Sequence, residues 1–92
     1  MTTPAADTLD AIKARLAGLT PLELELVDES ALHAGHAGAR SGGGHYRLTI
    51  VSSAFAGLNA VGRHRMVYQA LGDLMANRIH ALAITALTPD ER

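Results

Sequence analysis

Five histidines and no cysteine set the chemistry open to this chain. Imidazole is its borderline ligand type, and any thiolate at a metal centre must come from another molecule. His33 and His36 lie three apart in the glycine-rich run SALHAGHAGARSGGGH. His45 opens an alternating stretch, His80 opens an apolar one, and His64 falls at helical spacing between them. A polar ring at the mouth of an otherwise apolar strand needs a backbone carbonyl or a metal to satisfy it, so His80 is the candidate ligand, with His33 and His36 as its candidate partners. His45 shares a face with Arg47 and Thr49 and reads as solvated or ion-paired, and His64 reads as a core or cap histidine. Two imidazoles do not complete a tetrahedral zinc site. They suit a centre whose remaining ligands arrive on a second molecule, and two histidines on one iron are acceptable in an iron–sulfur centre.

Other chemistries find no footing. Ser41, Ser52 and Ser53 have no histidine–acid constellation, no lysine follows the spacing Gly57…Gly62 as in a phosphate loop, and Asp28-Glu29 has no matching acid pair, so no enzyme is read here. The net charge of −1 excludes a chain that coats nucleic acid indiscriminately. Charge is nevertheless uneven. Residues 30–88 carry five arginines against Asp73 alone, which leaves room for a modest basic face. Tyr46, Phe55 and Tyr68 are too few for a base-stacking platform. The N-terminus lacks a signal-peptide core and no run approaches membrane-spanning length, so the expected location is cytoplasmic.

Ninety-two residues make one domain with a single core. Residues 1–6 are expected to fray. Asp7 or Thr8 caps a first helix with the stripe Leu9, Ile12, Leu16 and Leu19, Lys13 and Arg15 solvated, and Gly18 and Pro21 at its end. Leu22, Leu24 and Leu26 alternate with Glu23, Glu25 and Val27 as a strand with one wet face. The 31–44 connection is long for a hairpin and glycine leaves it mobile. Residues 45–51 alternate again, with Tyr46, Leu48 and Ile50 inward. Gly57 lies in a short connection, and Asn59 caps a helix over 60–76 whose apolar face is Val61, His64, Val67, Tyr68, Leu71, Leu74 and Met75. Asn77 is its left-handed stop. Residues 79–87 are apolar on both faces, as in a strand covered on both sides. A helix joining two strands that way makes them parallel. His45, His80 and the glycine-rich loop then share one end of the sheet. Arg63 and Arg65 lie toward the other, on a helix about 25 Å long at 1.5 Å per residue. Thr88-Pro89-Asp90-Glu91 has the form of a capping box.

These residues resemble the BolA family. The matching pieces are VDES (27–30), the loop histidine His33, HYRLTIVS (45–52), Phe55 and Gly57 as F-x-G, RHRMVY (63–68), IHALAI (79–84) and TPDE (88–91). The resemblance, to the histidine-loop subtype, implies a type II KH-like α/β domain of order α-β-β-α-α-β, a three-stranded mixed sheet with helices packed on it. It also implies a monothiol glutaredoxin partner and a bridging 2Fe-2S cluster, with thiolates from the glutaredoxin and a glutathione. The histidine matching His80 is one ligand and that matching His33 another, with His36 beside it as a substitute. The isolated protein is expected to be a monomer holding no cluster. The roles implied are iron–sulfur trafficking or iron sensing. The alternative is a DNA-binding regulator of stress response and cell morphology, for which Arg63, Arg65 and their helix are the candidate contacts.

Overall fold

The computed structural model describes residues 4–29 and 44–92. In chain order they form α1 (Pro4–Leu16), β1 (Glu23–Asp28), β2 (Gly44–Val51), α2 (Ala60–Leu71), α3 (Leu74–Asn77) and β3 (Ile79–Leu87). The order α-β-β-α-α-β is the expected one. The sheet runs β1-β2-β3, antiparallel between β1 and β2 and parallel between β2 and β3. Its mixed character follows from the connections: the link from β2 to β3 contains a helix, which can carry the chain back to the starting end.

One face of the sheet carries the core. Tyr46, Leu48 and Ile50 of β2 are buried there with Ile12 and Leu16 of α1, Val67 and Leu71 of α2, and Phe55, Leu74 and Ile79. Burying the Tyr46 ring desolvates its phenol and raises its pKa, while a hydrogen bond with Thr8 opposes the shift. The other face is open. Glu23, Glu25, Arg47, Ala81, Ala83 and Thr85 are all exposed along it. Strand β3 is thus covered on one side only, not on both. Its second apolar face is built largely of alanine, whose small side chain loses little by facing water.

Four local expectations also change. Helix α1 begins at Pro4, so Asp7 and Thr8 lie inside it and Thr8 is buried. Arg15 is not simply solvated: it donates to the Leu71 carbonyl at 3.1 Å and pairs with Asp73 at 3.0 Å. The main helix stops at Leu71 because Gly72 takes φ 54°, a conformation glycine enters without a Cβ clash. Its N–H caps Tyr68 O, and Asn77 is not left-handed. Finally, the buried face of α2 is Val67 and Leu71 with Met66 and Ala70 packed beside them. Val61 and Tyr68, assigned to that face by spacing, are 64% and 41% exposed. Asn59 does cap the helix, accepting from Gly62 N–H at 2.9 Å. Apart from Gly44, the 31–44 connection lies outside the described residues.

Candidate metal-ligand site and the two ends of the sheet

The parallel register brings the starts of β2 and β3 together. Gly44 pairs with Ile79 and then His45 with Ala81, so β3 carries one extra residue, His80, in a bulge. The alternation slips there. Ile79 is buried, yet Ala81, two residues on, is exposed. Strict alternation would send His80 the way of Leu82 and Ile84, toward the helices. A bulge re-aims a side chain in this way, and the His80 ring instead meets the ring of His45, centroids 5.0 Å apart and planes inclined by 47°. His80 is exposed and His45 half-buried, its Nε2 shielded from solvent.

The ends of the 31–44 connection are tied beside this pair. Glu29 N–H donates to the His45 carbonyl at 2.7 Å, and Gly44 N–H to the Arg78 carbonyl at 3.1 Å. Arg47, next along the open face from His45, is held by Glu29 at 3.1 Å. His33 and His36 lie outside the described residues, so the placement of the loop ligands is not part of this geometry. Among the described residues no group of three or more potential ligands gathers around one point. The described chain therefore offers two imidazoles and no complete coordination shell. That donor set fits a centre finished by another molecule's thiolates.

The opposite end is organised by Arg63. Its Nε donates to Leu58 O at 2.9 Å, Nη1 to Ala86 O at 3.0 Å and to Glu91 Oε1 at 2.5 Å, and Nη2 to Glu91 Oε2 at 3.2 Å. Glu91 in turn accepts from Thr88 N–H at 2.8 Å, completing the capping box read from TPDE. The Arg63 guanidinium first, and then the Thr88 N–H, lower the Glu91 pKa from 4.5 to about 2. Such a fork-to-carboxylate pair locks the C-terminal turn against the start of α2. Arg65 is exposed on the outer face of that helix. There it lines a shallow depression of about 300 Å³ with Val61, His64 and Tyr68. His64 is half-buried at the edge of that depression and is not among the buried core residues, so it flanks the core rather than belonging to it.

A family model described as "BolA-like protein" matches residues 16–91, most of the chain. The chain belongs to the BolA-like family. Solved structures agree: this BolA-like chain superposes on the BolA domain of SufE1 from Arabidopsis thaliana with a TM-score of 0.76 and 45% identity, covering 88% of this chain and 91% of that one. In sequence it is 47% identical over 78 residues to "SufE-like protein 1, chloroplastic/mitochondrial" of Arabidopsis thaliana, covering 79% of this chain and 21% of that protein. It is 46% identical over 71 residues to "DNA-binding transcriptional regulator BolA" of Vibrio cholerae, covering 77% of this chain and 64% of that protein. The BolA-like chain therefore spans less than two thirds of either relative. Among its described residues no helix is long and apolar enough to cross a membrane.

The contact between His45 and His80 was missed in the sequence. The parallel register that brings both strand mouths together was visible there, but the bulge that turns His80 across to His45 carries no sequence mark.

Proposed function

We propose that this BolA-like chain is a non-catalytic adaptor that binds a monothiol glutaredoxin and shares a bridging 2Fe-2S cluster with it, in iron–sulfur trafficking or iron sensing. The observation that carries this reading is the exposed His80 ring, turned outward by a bulge at the sheet end where the histidine-bearing loop is anchored. His80 is the chain's principal ligand in this proposal. His33 is the loop ligand, with His36 able to replace it. The glutaredoxin cysteine and a glutathione supply the thiolates this chain lacks. The cluster, when bound, supplies electron-accepting iron; this chain's part is to present neutral imidazole from a rigid strand. Purified protein mixed with a cluster-loaded monothiol glutaredoxin should change the visible absorption of the cluster. An unchanged spectrum at equimolar and excess protein would sink the reading.

One observation favours a second activity. Arg65 stands exposed beside Tyr68 on α2, and a relative from Vibrio cholerae bears the name of a DNA-binding regulator. Phosphate contact in this reading falls to Arg65, because Arg63 is already committed to four hydrogen bonds. Arg65→Ala should weaken DNA binding and reduce its salt dependence, and equal binding by both proteins would dismiss the idea.

A further inference from the structure

We propose that His45 and His80 together seat one borderline divalent cation (zinc, cobalt or nickel) in the isolated chain, without help from the loop. Two imidazoles bound to one tetrahedral ion through nitrogens about 2.0–2.1 Å from the metal place their ring centres about 5 Å apart. The observed separation is 5.0 Å, and the 47° inclination is not that of a parallel stack. Each ring hangs from a strand whose position is set by the β2–β3 ladder, so little backbone must be ordered when an ion arrives. The bulge is what brings His80 to the face that carries His45.

Arg47, on the same face as His45, is neutralised by Glu29 at 3.1 Å. Imidazole without thiolate selects borderline ions over calcium or magnesium, which demand oxygen ligands. Two protein ligands leave the remaining positions to water or to a donor brought by another molecule. The site is therefore open and its affinity modest. This inference concerns the protein alone and does not rest on the glutaredoxin reading.

Titration of the isolated protein with cobalt(II), followed by its visible absorption, tests it. One equivalent should bind, at least tenfold more weakly in His45→Ala and in His80→Ala, and within twofold of the wild type in the His33→Ala/His36→Ala double variant. Wild-type protein that binds no cobalt overturns the proposal. So does either strand variant binding as the wild type, or a loop variant that loses the ion. A second measurement needs no substitution: at one equivalent the ring proton resonances of both His45 and His80 should broaden. Broadening that spares either ring is equally fatal. Cluster capture is measured with glutaredoxin present, so failure of one reading is distinguishable from failure of the other.

Discussion

Both terminal nitrogens of Arg63 grip the two carboxylate oxygens of Glu91, at 2.5 Å and 3.2 Å, across 28 residues of chain. The same guanidinium reaches the carbonyls of Leu58 and Ala86, so it joins the start of α2, the end of β3 and the C-terminal turn. Lysine could keep the charge but not the fork. Arg63→Lys should lower the denaturation midpoint in urea and leave the slope unchanged. An unaltered midpoint would show that the fork does not contribute to stability.

The Glu91 carboxyl also sets an acid limit. Its pKa in the folded protein is lowered to about 2 from 4.5, so the unfolded state binds the proton more readily. The stability it contributes is complete above about pH 4.5 and is lost as pH falls to about 2. Glu91→Gln should flatten that part of the profile of melting temperature against pH. Parallel profiles for the two proteins would remove Glu91 as the source.

Gly72 is the residue at which the helical segment turns. With φ at 54° and the site of a Cβ 3.3 Å from Arg15 Nη1, alanine there meets backbone strain and a side-chain contact together. Gly72→Ala should destabilise the fold by about 1–3 kcal/mol, read from urea melts. Gain of stability would mean that the segment had straightened into one helix.

His64 and His80 should separate cleanly from core positions. His64 is half-buried beside Val61 and Tyr68, outside the core, so His64→Ala should lower stability by less than about 1 kcal/mol. A loss above 1 kcal/mol by circular dichroism melts would return it to the core.

His80→Ala should likewise melt near the wild type, because its ring is exposed. In the glutaredoxin complex it should abolish or reshape the cluster absorption, and His33→Ala should do so less. A full spectrum from His80→Ala would move the ligand elsewhere.

The strands and their order were legible because their periodicities are local. Leu24 and Leu26 alternate against Glu23 and Glu25, and Tyr46, Leu48 and Ile50 alternate against Arg47, whatever the rest of the chain does. The parallel pairing of β2 and β3 followed from the helix between them, and with it the placing of His45 and His80 at the same end of the sheet. Asn59 and the Thr88–Glu91 box could be read because a cap needs only residues within one turn. The face of α2 could not. Val61, His64, Val67 and Tyr68 all fit a helical repeat, and only packing against the sheet chose Val67 and Leu71. Helix length was decided by Gly72, whose positive φ falls between Leu71 and Asp73, the two residues that Arg15 of another helix holds. The side on which β3 is covered depended on where the helices lie. Above all, the turning of His80 toward His45 required a one-residue slip between two strands, and a slip in pairing is a property of both strands at once. Residue spacing along one strand carries no record of it, because the energy that selects the slip belongs to the assembled sheet.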